Sequence, residues 1–205
     1  MKKDDVLVDE KFNKLVEYSS RSGKIDIRLY ADYDVKRGLR DSGGKGVLTG
    51  LTEISDVVSF GSIDGERVPI DGELYFQGVN VQDLIRGEAN RRFAFEETTY
   101  LLLFGKLPTR EQLREFIDLI GIYRELPETF VRDVVMKAPS SNMMNTLQKC
   151  VLTMYSYDQN PEDISIHNIL KQSLQLIAQF PLYSVYGYHA YRHYHLNKSL
   201  IIRNP

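Results

Sequence analysis

Phe95-Glu96-Glu97-Thr98-Thr99-Tyr100-Leu101-Leu102-Leu103-Phe104-Gly105-Lys106-Leu107-Pro108-Thr109-Arg110-Glu111-Gln112 decides the fold class of this chain. The stretch opens with two carboxylates, which suit the positive end of a helix. It continues through an apolar run that predicts a buried helix and stops at Gly105, the residue type that closes helices in the left-handed conformation. Leu107 and Pro108 then form a loop. Thr109 and Gln112 stand three apart, the spacing at which each side chain caps the other's backbone amide at a helix start. Leu113, Phe116, Ile117 and Ile120 supply the apolar stripe of the helix that follows. Two helices joined by a tight, self-capped loop predict a mainly α protein.

Helical spacing extends downstream. Pro127 can open a helix running through Lys137, which Ala138-Pro139-Ser140 stops, because proline disfavours helical geometry in the residue before it. Residues 142–157 carry Met143, Met144, Leu147, Val151, Leu152, Met154 and Tyr155 over a face wide enough to predict burial between neighbours. Residues 165–196 keep the period through Ile166, Ile169, Leu170, Leu174, Ile177 and Ala178 until Pro181, which should bend or restart the helix. Upstream, Asn80 can cap a helix from Val81 to Arg86, and Phe12, Leu15 and Val16 mark a short amphipathic helix over 9–20 with Gly23 as its stop. Between these helices, residues 47–78 change character. Short β-branched runs at Ile54, Val57, Val58 and Phe60 are divided by Asp64-Gly65 and Asp71-Gly72, both good turn pairs, so two or three short strands are expected. The expected organisation is a helix and loop over 1–46, a short β region over 47–78, and a helical part over 79–205.

Composition narrows the function classes. With 42% hydrophobic and 26% charged residues, the 205-residue chain has the balance of a globular protein, which excludes disorder and collagen-like structure. Lys and Arg number 26 against 28 Asp and Glu, so no broad positive field favours nucleic acid or an anionic membrane. A single cysteine, Cys150, excludes an intramolecular disulfide and any multi-cysteine zinc site, and it fits a reducing cytoplasm. No apolar run approaches the length of a membrane span.

Few residues offer chemistry of their own. Arg37 to Gly46 is rich in glycine and charge, yet lacks the Gly-Lys-Ser/Thr ending and preceding strand of a phosphate-cradling loop. His189 and His193 stand four apart, so a helix would put both imidazoles on one face. His195 or a distant carboxylate would have to complete a metal site, and the tyrosines at 188, 191 and 194 favour an aromatic, partly exposed helix end; no metal is expected. Glu96 with Glu97, Asp64 and Asp71 read as helix-start and turn residues before they read as acid–base pairs. Cys150 lies among core-type residues and should be a packed thiol. No Gly-x-Ser-x-Gly elbow supplies a serine nucleophile.

The order of several segments resembles the citrate synthase family. The series comprises Arg37-Gly38-Leu39-Arg40, Gly46-Val47-Leu48-Thr49-Gly50, Thr52-Glu53-Ile54-Ser55 and Gly72-Glu73-Leu74-Tyr75. It continues with Gly78-Val79-Asn80-Val81-Gln82-Asp83-Leu84, with Gln77 where the family usually has arginine. It is strongest over Phe95-Glu96-Glu97 and Tyr100 to Thr109, and it ends in Leu176-Ile177-Ala178-Gln179-Phe180-Pro181 with Tyr191-Arg192.

The resemblance implies a multi-helical citrate synthase-like large-domain portion with a small β element near the N-terminus. It also implies a parent enzyme that condenses acetyl-CoA with oxaloacetate to give citrate and CoA, working as a homodimer. In that family an aspartate and a histidine enolise acetyl-CoA, the enol attacks oxaloacetate, and the citryl thioester is hydrolysed. The histidines lie in Pro-Leu-His-Gly-Gly-Ala and Gly-His-Arg-Val-Tyr segments, and neither segment occurs here. The likeness of Gly187-Tyr188-His189 to the second is superficial, so no catalytic residue is assigned. The chain therefore reads as the N-terminal half of a citrate or 2-methylcitrate synthase, inactive alone and binding no cofactor. Arg40 is the one residue whose place matches a family arginine on a CoA phosphate. The competing expectation is a non-catalytic citrate synthase-like binding or regulatory module.

Overall fold

The computed structural model describes residues 3–36, 38–39, 47, 49–88 and 92–200. The chain divides into two compact units, one of residues 17–114 and one of residues 1–16 with 115–205. Two helices, α1 (Lys3–Arg21) and α5 (Arg110–Tyr123), pass in sequence from one unit into the other. Among the described residues no helix is long and apolar enough to cross a membrane.

The unit of residues 17–114 begins with the end of α1, followed by a one-turn helix, α2 (Arg28–Asp32), where no periodicity is visible in the sequence. Three antiparallel strands follow: β1 (Ser55–Ile63), β2 (Glu66–Phe76) and β3 (Val79–Asn80), in that order across the sheet. Both connections are two-residue hairpins with positive φ at each central residue, Asp64 at 54° and Gly65 at 84°, then Gln77 at 48° and Gly78 at 77°. Such turns match the right-handed strand twist. Asp71-Gly72, expected as a turn, lies inside β2. Val58 pairs with Glu73 and Phe60 with Pro69, so Ser59 alone faces Ile70, Asp71 and Gly72, and the surplus residues make a bulge. Pairing on both sides holds the strand on course where the dipeptide by itself would reverse it.

Asn80 then starts α3 (Val81–Glu88), its Oδ1 accepting from the Gln82 amide at 2.8 Å. The next helix, α4 (Ala94–Phe104), buries Glu97, Tyr100, Leu101 and Phe104, with the Tyr100 and Phe104 rings edge to face at 4.6 Å. Gly105 ends it at φ 75° with its amide on the Leu101 carbonyl, the left-handed stop the sequence announces. At the head of α5 the reciprocal cap forms as expected. Gln112 Oε1 accepts from the Thr109 amide at 2.9 Å and Thr109 Oγ1 from the Gln112 amide at 3.2 Å.

In the other unit, the remainder of α5 leads to a π-helix (Val131–Met136), then α6 (Met143–Tyr155) and the 31-residue α7 (Ile166–Leu196). The segment after Pro127 is thus wound more loosely than the α-helix expected there. Asn142 caps α6 through two backbone amides, and Ser165 caps α7 through the Asn168 amide. Phe130, Val135, Cys150, Leu182, Tyr183, Tyr186 and Ala190 form one buried cluster joining the π-helix, α6 and α7. Phe12 of α1 packs edge to face on Tyr123 and His167 in the same unit.

Pro181 does not restart α7. It removes the amide that would bond the Ile177 carbonyl, yet buried residues on either side, Leu174 and Ala178 before it and Leu182 and Tyr183 after it, keep one helix.

Gly187 sets the approach of α7 to α6. A Cβ there would stand 2.9 Å from Thr146 Cγ2 and 3.3 Å from Met143 Cε, and Thr146 is itself buried. Gly187→Ala should therefore cost about 1–3 kcal/mol by overpacking. A denaturant midpoint equal to that of the parent chain would contradict this packing.

Candidate functional site

A cavity of about 510 Å³ opens between the C-terminal end of α6, the connection to α7, and the first half of α7. Its apolar lining comes from Leu152, Met154, Tyr155 and Leu176, and its polar lining from Asp158, Lys171 and a set of amide side chains on α7. The cap at Ser165 fixes where α7 begins, and thereby which of its residues turn toward the cavity.

Local hydrogen bonds shape the wall. Asp158 Oδ1 accepts from the Asn160 amide at 3.0 Å and its Oδ2 from Gln172 Nε2 at 2.8 Å. The Asn160 amide, then Gln172 and Lys171, hold the Asp158 carboxyl below the usual carboxylate range. Tyr155 donates its hydroxyl to Glu162 Oε1 at 2.5 Å. At the inner end Gln179 is buried, and its Nε2 donates to the Tyr123 and Glu125 carbonyls at 3.2 Å each, while Tyr183 donates to its Oε1 at 2.7 Å. Burial, with the charge of Asp9, pushes the Tyr123 phenol up to about 12. Sequence reasoning missed this amide set, although the spacing of Asn168, Gln172, Gln175 and Gln179 was there to be read.

The residues singled out from sequence are dispersed. His189, His193 and His195 lie on the last turns of α7 and pair with different neighbours: His189 with the Tyr188 ring, His195 with Tyr191, and His193 Nδ1 with the Lys198 carbonyl at 3.0 Å. Because a carbonyl only accepts, the last contact places a proton on Nδ1. Among the described residues no group of three or more His, Cys, Asp or Glu is arranged to hold a metal. Asp64 sits in a hairpin turn and Asp71 in the β2 bulge, while Glu97 is buried in the first turn of α4. Arg40 lies outside the described residues.

Cys150 is the packed thiol the sequence suggests. It is fully buried among Phe130, Val135 and Tyr183, and burial pushes its pKa up. Iodoacetamide should leave it unmodified until denaturant unfolds the chain. Rapid labelling of the native protein would contradict this core.

Similarity to known proteins bears on what this scaffold is. The sequence model of the family described as "Citrate synthase, C-terminal domain" matches residues 43–204. The chain is 30% identical over 152 residues to 2-methylcitrate synthase 1 of Corynebacterium glutamicum, covering 74% of this chain and 35% of that protein. It is 32% identical over 139 residues to a citrate synthase of the same organism, covering 65% of this chain and 30% of that protein. A citrate synthase of Haloferax volcanii is 30% identical over 153 residues, 72% of this chain and 35% of that protein. The chain thus spans about a third of the length of the curated relatives it matches. The crystal structure of citrate synthase from Pyrobaculum aerophilum superposes with a TM-score of 0.55 at 27% identity, over 75% of this chain and 38% of that one. A match through most of α3 to α7, in the order of segments the sequence displays, places this chain in the citrate synthase family.

Proposed function

We propose that this chain supplies helical scaffold of the large domain of an acyltransferase that condenses acetyl-CoA with oxaloacetate to citrate and CoA. The observation that carries this reading is the family match over residues 43–204, which takes in every helix from α3 to α7. In the proposed reaction the acetyl methyl group loses a proton, its carbon bonds to the keto carbon of oxaloacetate, and water cleaves the thioester to release the CoA thiol. General acid–base groups must lie within hydrogen-bond reach of those atoms. The family's two histidine segments are absent from this sequence, so the scaffold described here corresponds to the part that precedes them and does not turn over alone. Arg40 is the proposed contact to a CoA phosphate, where a guanidinium gives bidentate geometry. A cytoplasmic site of action fits the single, buried thiol.

The proposed assembly is a homodimer through α6 and α7. Leu152 is 73% exposed and Met144 63% exposed on α6, and Ile166, Ile169 and Tyr188 are each about half exposed on α7. Apolar side chains exposed along packed helices are the raw material of a self-complementary interface.

Two measurements test these readings. Acetyl-CoA with oxaloacetate, and propionyl-CoA in its place, should release no CoA thiol above background with the 205-residue chain. Turnover at an ordinary enzymatic rate, about 1–1000 per second, would overturn the assignment of catalysis to residues outside it. The thermal midpoint should rise with protein concentration, because dimerisation couples to folding by mass action. A sharp, concentration-independent transition would remove the dimer.

A further inference from the structure

Phe130 and Val135 are both completely buried in the cluster shared with α6 and α7, and they stand five residues apart. On an α-helix, at about 100° per residue, side chains five apart point about 140° away from each other and do not face one core together. Hydrogen bonds to the fifth residue instead of the fourth bring positions five apart nearly into line. The π-helix at Val131–Met136 is therefore the winding that lets Phe130 and Val135 share the cluster. It grows out of an α turn, since the Asp133 amide bonds the Thr129 carbonyl four residues back. Compared with an α-helix over the same span, it holds one residue more.

The residue next to Val135 is a second valine. Val134 stands four residues after Phe130, the spacing that an α-helix puts on one face, and it already packs against the border of the same cluster. Carrying the α winding past Phe130 would bring Val134 into the seat of Val135 with an identical side chain, so no cavity opens in the core. Each following residue would move up one place. Val135 would take the half-buried place of Met136, and Met136 the exposed place of Lys137. Exposing Met136 costs apolar burial, which makes the π winding the resting form.

We propose that residues 131–136 are a two-register device, π-wound at rest and α-wound after a one-residue slip that exchanges Val135 for Val134 in the core. The slip passes the surplus residue to the connection over 137–140, which is neither helix nor strand. Both ends of that connection are tied to α6. The Lys149 ammonium donates to the Ala138 carbonyl at 2.5 Å, and Ser140 Oγ accepts from the Asn142 amide at 3.1 Å and from Asn145 Nδ2 at 3.2 Å. Ser140 is held by two donors at the start of α6, so the added residue displaces Ala138 and breaks its bond to Lys149. The winding of this turn and the grip of α6 on the connection are then one equilibrium.

Deleting Val135 from the 205-residue chain removes the surplus residue. The deleted chain should wind as α-helix through the segment, with Val134 in the core and Met136 still half-buried, and should keep one cooperative denaturant transition. In the parent chain, nitrogen-15 relaxation dispersion should show exchange on the microsecond-to-millisecond scale of helix register shifts, confined to amides between Val131 and Ser140. The deletion should abolish that exchange. Lys149→Met removes the bond that holds Ala138 in the π register, and should raise the slipped population roughly threefold. Absence of exchange in both the parent and Lys149→Met overturns the proposal, as does exchange that Lys149→Met leaves unchanged. A deleted chain that fails to fold overturns it too, because Val135 is then not surplus. A folded deletion that still exchanges does the same, because the motion then has another source.

Discussion

Everything in the larger helical unit depends on the contact between α6 and α7. Gly187 lets the two backbones approach until Thr146 and Met143 touch it, and at that separation Cys150, Tyr183 and Phe130 share one dry cluster. A large aromatic such as Tyr183 brings a polar hydroxyl into that cluster, and burial pushes its pKa up. The hydroxyl is satisfied by Gln179, and Gln179 in turn holds the carbonyls that end α5. Apolar packing sets the distance between the helices, and the buried hydrogen-bond chain sets which residues of α7 face which neighbours. Removing either would leave the other with unsatisfied groups or an open cavity.

The same chain explains why α7 stays in one piece across Pro181. A proline in a helix interior costs about 3 kcal/mol when nothing else constrains the backbone. Here the buried residues on both sides of it are already committed to partners, Gln179 to α5 and Tyr183 to the core. A restart would break those contacts to relieve one missing amide. Tertiary packing outweighs the local preference at this position.

Much of this was legible in the sequence, because caps and stops are local codes. Thr109 with Gln112, Asn80 and Gly105 each announce a boundary within a few residues, and each forms as read. Asp64-Gly65 and Asp71-Gly72 show where local codes stop. The two dipeptides offer similar turn chemistry, and only cross-strand register makes the first a hairpin and the second a bulge. Helix α2 was illegible, since five residues are too few to display a period. The row of amide side chains on α7 was legible as a spacing, but what it grips was not. Most of its partners are backbone carbonyls, which every residue has, so the sequence holds no sign of which ones will be gripped. The family segments were readable by their order, whereas the placement of the histidines on separate neighbours needed coordinates.

The discontinuity of the units in the chain has a consequence for synthesis. Residues 17–114 are continuous, so that unit can close while the ribosome is still making the rest. Phe12 belongs to the other unit and finds its ring partners only at Tyr123 and His167. At elongation rates of about 5–20 residues per second, its second partner emerges roughly eight to thirty seconds after it. For that interval α1 carries an aromatic side chain whose native contacts are incomplete. A cell making this protein therefore handles a nascent chain in which residues 17–114 are ready before the segment that precedes them.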